Sequence, residues 1–129
     1  MDRWEFKRRT KQLALRVIRL VRALPVGVEG EVIGRQLLRA GTSIGANYRA
    51  ADRAKSTADM INKLKIVEEE ADETLYWLEL IIEAGLMPEE LLHDLMKETD
   101  EILAMTVASI NTLRARTDNR KSTIVNRQS

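Results

Sequence analysis

Leu24-Pro25-Val26-Gly27-Val28-Glu29-Gly30 is the first break in an otherwise helical pattern. Proline stops a helix, and two glycines loosen the chain that follows. Two more breaks have the same logic. At Ala54-Lys55-Ser56-Thr57, Ser56 followed by Asp59 reads as a capping-box-like helix start. At Gly85-Leu86-Met87-Pro88-Glu89-Glu90, glycine suits a helix C-cap and proline the opening of the next helix. The two acids that follow suit the positive end of its dipole. Three breaks leave four helical segments.

Each segment has one apolar face. Over residues 4–24, Leu13, Ala14, Val17, Ile18, Leu20, Val21 and Leu24 share an arc at 100° per residue. Arg8, Arg9, Lys11, Arg16, Arg19 and Arg22 fall opposite, with Leu15 the one apolar residue among them. Over residues 31–54 the stripe is Ile33, Leu37, Ala40, Ile44, Tyr48 and Ala51, with many small residues beside it. Interior glycines cost up to about 1 kcal/mol each in a helix, so close packing or a bend should offset Gly34, Gly41 and Gly45. Residues 58–84 carry Met60, Leu64, Val67, Ala71, Leu75, Leu78 and Ile82 in register. Residues 88–116 carry Leu92, Leu95, Thr99, Ile102, Thr106, Ile110 and Leu113 at a near-3.5 repeat. Long amphipathic helices joined by short loops pack antiparallel, so the expected fold is all-α: an up-down-up-down four-helix bundle over residues 1–116. Residues 117–129 read as a polar, basic, aperiodic tail.

Composition narrows the function. The 129 residues are 44% apolar, enough for a core and against a disordered chain. There is no cysteine, which removes disulfides, thiolate metal sites and cysteine nucleophiles. No apolar run approaches the roughly 20 residues that span a bilayer, and no apolar signal core follows Met1. No membrane association is expected, and the cytoplasm is the expected compartment. Net charge is +1, but residues 1–24 hold eight Lys/Arg against two acids, and residues 56–86 hold two against eight. A basic front half faces an acidic back half.

Little in the chain points to catalysis. Glu90-Leu91-Leu92-His93 matches the Glu-x-x-His of di-iron bundles, but His93 is the only histidine and such sites need two motifs. Gly41-Thr42-Ser43-Ile44-Gly45 lies inside a helical pattern and lacks a phosphate-loop lysine. No catalytic residue, metal ligand or cofactor is therefore expected. Three other groups stand out. Glu69, Glu70 and Glu73 belong to the densest acidic cluster, which suits pairing with arginines within the bundle or across an oligomer interface. Gln36, Arg39, Ser43 and Asn47 form one polar stripe on the second helix, read as a structural network between helices. Arg8, Lys11, Arg16, Arg19 and Arg22 spread over about 20 Å of the first helix. Such an array suits a phosphate backbone, bound by counterion release without sequence preference. It equally suits the acidic helices of a neighbouring copy.

Gln36-Leu37-Leu38-Arg39-Ala40-Gly41-Thr42-Ser43-Ile44-Gly45-Ala46-Asn47 resembles the helix-two run of the four-helix bundle family of 23S rRNA intervening-sequence proteins. That family includes the accessory variability determinant of diversity-generating retroelements. The matched positions are Gln36, Leu37, Arg39, Ala40, Ser43, Ile44 and Asn47, after a loop with a proline where Pro25 stands. The stretch Lys63-Leu64-Lys65-Ile66-Val67-Glu68-Glu69-Glu70-Ala71-Asp72-Glu73-Thr74-Leu75-Tyr76-Trp77-Leu78-Glu79 resembles helix three of one branch. Where many members follow the asparagine with Ile-Ala-Glu-Gly, this chain has Tyr48-Arg49-Ala50-Ala51. The resemblance implies a homo-oligomer, a pentameric ring of bundles, with no enzyme activity. From the retroelement branch it further implies nucleic acid and a reverse transcriptase as partners.

Overall fold

The computed structural model describes residues 2–128. Four helices follow one another: α1 (Arg3–Ala23), α2 (Val28–Asp52), α3 (Thr57–Glu83) and α4 (Glu89–Gln128). Each packs on the next, and α1 meets α4 to close the bundle. The fold is an all-α, up-down-up-down four-helix bundle, with no strand among the described residues.

The helix ends are set by local chemistry. The Asp2 carboxylate accepts from the backbone N–H of Trp4 at 2.9 Å, satisfying one of the orphan donors of α1. Ser56 Oγ accepts from the Asp59 N–H at 3.1 Å, and the Asp59 carboxylate accepts from the Lys55 N–H at 3.2 Å. Gly85 adopts φ +72° and ends α3, with the Leu86 N–H reaching back to the Ile81 carbonyl at 3.0 Å.

Phe6, Leu13 and Val17 of α1, Leu37, Ile44 and Tyr48 of α2, and Leu64, Leu78 and Ile81 of α3 are fully buried, as are Leu92 and Ile102 of α4. Phe6 meets the edge of Tyr48 at a centroid distance of 4.4 Å. Phe6 and Thr10 extend the α1 stripe at a 4-3-4 spacing, beyond its expected start at Leu13. The basic run Lys7-Arg8-Arg9 between them hides the pattern in the sequence. The buried threonines Thr99 and Thr106 each donate to the carbonyl four residues earlier, at 2.7 Å, so α4 buries no orphan hydroxyl there.

Two boundaries differ from the sequence reading. α2 begins at Val28 rather than near residue 31. Gly30 lies inside the helix because its backbone packs on the preceding loop: a Cβ there would sit 2.5 Å from the Pro25 carbonyl oxygen. The segment from residue 117, expected to be an aperiodic tail, instead continues α4 as helix to Gln128. At about 1.5 Å per residue, the 40 residues of α4 span about 60 Å, well beyond the other three helices.

The glycines of α2 explain how α1 lies so close. A Cβ at Gly41 would fall 2.8 and 2.9 Å from the two γ-methyls of Val17. A Cβ at Gly34 would crowd Leu24 and Val21, and one at Gly45 would crowd Thr10. These glycines form the seat of α1, which offsets their cost to the helix.

Candidate nucleic-acid interface

The close α1–α2 contact shapes the surface beside it. A groove of about 590 Å³ runs between the two helices. Its floor is small: Thr10 and Ala14 from α1, and Thr42, Gly45 and Ala46 from α2. Long cations rise on both sides, Lys7, Arg8 and Lys11 from α1 and Arg49 and Arg53 from α2. Trp4 stands at the rim and no carboxylate lines the groove. Arg8, Lys11, Arg49 and Arg53 are exposed and form no ion pair with any described residue. Lys7 is held differently, by Asp52 at 2.5 Å. The Lys7 ammonium, then the Arg3 guanidinium, holds the Asp52 carboxyl below the usual carboxylate range.

The structure divides the basic arc expected on α1. Arg8 and Lys11 line the groove. Arg19 and Arg22 are exposed farther along α1, outside it, and Arg16 is half-buried. Arg9 turns away to α4: its guanidinium donates to Glu98 at 2.5 and 3.1 Å and to Glu101 at 2.7 Å. That contact holds the Glu98 carboxyl below its ordinary range. Sequence reasoning missed Trp4, Lys7, Arg49 and Arg53 as groove residues. Arg49 and Arg53 follow Gly45 at successive four-residue steps, and that spacing was the available clue.

The acidic trio is divided as well. Glu70 and Glu73 of α3 both meet Arg39 of α2, Glu70 at 3.3 Å and Glu73 at 2.6 Å. Glu69 points elsewhere, into a second groove of about 340 Å³ between α3 and α4 that it lines with Lys65, Glu68 and Asp72. Of the polar stripe on α2, only Arg39 reaches another helix. Ser43 donates to the Arg39 carbonyl at 2.6 Å and Asn47 to the Ser43 carbonyl at 2.8 Å. Gln36 is half-buried with no side-chain bond to a described residue. Ser43 and Asn47 are therefore satisfied by the backbone of α2 itself.

Among the described residues, no group of three or more His, Asp or Glu could hold a metal ion. No helix is long and apolar enough to cross a membrane.

No curated protein matches the chain. A solved structure does: a protein of unknown function from the S23 ribosomal protein family of Bacteroides thetaiotaomicron VPI-5482. The two are 39% identical, with a TM-score of 0.75, over 81% of this chain and 97% of that one. A family model described as 23S rRNA-intervening sequence protein matches residues 3–108, which takes in all of α1, α2 and α3 and half of α4. The chain belongs to the 23S rRNA-intervening sequence protein family.

Proposed function

We propose that the chain is a non-enzymatic, oligomeric accessory protein that binds a nucleic-acid backbone, with a reverse transcriptase as the protein partner its resemblance implies. One observation carries the binding half: a groove between α1 and α2 lined by cations on both sides and by no carboxylate. Four of those cations have no partner within the described chain. Cations on such a surface displace the counterions condensed on a phosphate backbone, and the ions released to solution drive binding.

The test is a titration with a nucleic-acid oligonucleotide at several salt concentrations. Four engaged cations correspond to a slope of log K against log salt of about −3 to −4. The double variant Arg49→Glu/Arg53→Glu should lose most of the affinity and flatten the slope while keeping its helical circular dichroism. Reversing Arg19 and Arg22, which stand outside the groove, should cost less. A wild-type protein that leaves oligonucleotides unbound at low salt removes this reading.

A second reading rests on the opposite face. Glu68, Glu69 and Asp72 line the α3–α4 groove and make no ion pair with a described residue. That face complements the basic one, so the two can meet between copies and spend the charges on self-assembly. It predicts that Glu68→Lys/Glu69→Lys/Asp72→Lys lowers the mass seen by analytical ultracentrifugation. If it alone holds, wild type shows no nucleic-acid shift.

A further inference from the structure

We infer that the α1–α2 groove takes a single strand, with one unpaired base stacked on Trp4 and the neighbouring phosphates on Lys11, Arg49 and Arg53. This rests on the proposed nucleic-acid reading and specifies the form of the ligand.

The carrying feature is Trp4. It is 82% exposed, an unusual position for the largest apolar side chain in a chain with only five aromatic residues. Two contacts bear on its position. Its backbone N–H is held by the Asp2 cap, and the Lys7 ammonium lies 5.6 Å from its ring centroid. Lys7 is in turn fixed by Asp52. The ring therefore stands at the end of the cationic groove without burying itself in the core. An indole so placed offers a flat apolar surface beside an array of phosphate-binding groups. Single-strand binders combine these two elements, a stacking platform and an electrostatic track.

A duplex cannot use both. Its bases are paired and stacked inward, so Trp4 would meet only sugar and phosphate. The groove also lacks the amide and carboxylate side chains that read adenine and cytosine edges. No Asn, Gln, Asp or Glu lines it. Its two threonines are occupied with their own helices: Thr10 Oγ1 donates to the Lys7 carbonyl at 3.1 Å, and Thr42 Oγ1 to the Leu38 carbonyl at 2.7 Å. Stacking tolerates any base, so the groove selects unpaired over paired nucleic acid, with little preference among sequences. The floor of Ala14, Gly45 and Ala46 leaves room for a sugar–phosphate chain between the cations.

The experiment uses the full chain and a mixed-sequence twelve-nucleotide strand as RNA, as DNA and as the matching DNA duplex, at one salt concentration. The single strands should bind at least about tenfold tighter than the duplex. Trp4→Ala should weaken single-strand binding by about fivefold to a hundredfold, the range of one stacked base. It should leave the salt slope, the duplex affinity and the melting temperature unchanged, and Trp4→Phe should recover part of the loss. In a Trp77→Phe background Trp4 is the only tryptophan, and its fluorescence should quench on adding either single strand. The ratio of the RNA and DNA arms identifies the strand chemistry. Equal binding of strand and duplex, or an unaltered Trp4→Ala variant, overturns the inference while leaving the proposed backbone binding in place. No binding by the wild type to any of the three overturns both.

Discussion

At the scale of single residues, the bundle depends on atoms that are missing. Gly41 carries no Cβ, and Val17 of α1 occupies the space. Val17 is fully buried and β-branched, so its methyls cannot swing away. In an exposed helix Gly→Ala stabilises by roughly 0.5–1 kcal/mol. Here the added methyl would fall under 3 Å from both γ-carbons of Val17. Overpacking of a tight core costs about 1–3 kcal/mol and outweighs the gain in helix propensity. Gly41→Ala should therefore lower stability by about 1–2 kcal/mol in urea denaturation. Placed on Val17→Ala, the same change should be neutral or stabilising, because the clash is gone and the propensity gain remains. Stabilisation of the wild type by Gly41→Ala would show that helix packing does not explain this glycine. Gly45, one turn on, makes the same kind of close approach to Thr10 and lines the groove with it.

At the scale of elements, α1 meets α4 less extensively than any other adjacent pair, and Arg9 bridges them to Glu98 and Glu101. Hydrogen bonds from Arg9 keep the Glu98 carboxyl below its ordinary value of 4.5. A depressed folded-state pKa means the unfolded chain binds the proton more readily. The stabilisation is therefore complete above the unfolded value, near pH 5 and higher. It fades as pH falls from about 4.5 through the lower folded value. Arg9→Met should lower stability by about 1 kcal/mol at pH 7, the upper end for a partly exposed ion pair. The difference between variant and wild type should shrink below pH 4, measured by thermal melts across pH. A difference that stays constant down to pH 3 would show that Arg9 acts by packing and not by charge. The elements themselves were legible in the sequence. Leu24-Pro25, Ser56 with Asp59, and Gly85 mark loops through backbone chemistry that acts locally. The partner of Arg9 was not, because Arg9 shares its arc with the exposed cations and only the fold brings Glu98 within reach. The groove was half legible for the same reason. Arg8 and Lys11 belong to a visible amphipathic pattern, whereas Arg49 and Arg53 become their neighbours only when α1 settles onto the glycines of α2.

At the scale of the whole molecule, charge and shape coincide at one end. The start of α1, the end of α2 and the outer half of α4 meet there, since Arg3 and Tyr48 line one cavity with Thr112 and Arg116. Trp4 and Arg53 of the candidate groove belong to the same end, on the first turn of α1 and just after α2. From there α4 runs on past the bundle, and residues 118–123 are exposed along it. Its outer half carries Arg114, Arg116, Arg120 and Lys121 against Asp118, although the inner half of the same helix is acidic. The family match stops at residue 108, so this basic rod lies outside what the family model covers. Exposed as they are, residues 118–123 contribute little to global stability, whereas the cations among them add to the field over the groove. Deleting residues 117–129 removes a net charge of +2, and among the described residues the core and the side chains packed on it reach no farther than Leu113. The truncated chain should melt within about 2 °C of the full one, as expected where residues 118–123 are exposed. Its affinity for a single-stranded oligonucleotide long enough to leave the groove should fall at low salt. Its log K against log salt should flatten by about 1 to 1.5 if both net charges meet phosphate. A strand of only four nucleotides, confined to the groove, should bind both forms nearly alike. If the long strand also binds both forms alike, the rod serves something other than the nucleic acid, and the acidic α3–α4 groove of a second copy becomes the surface to test against it.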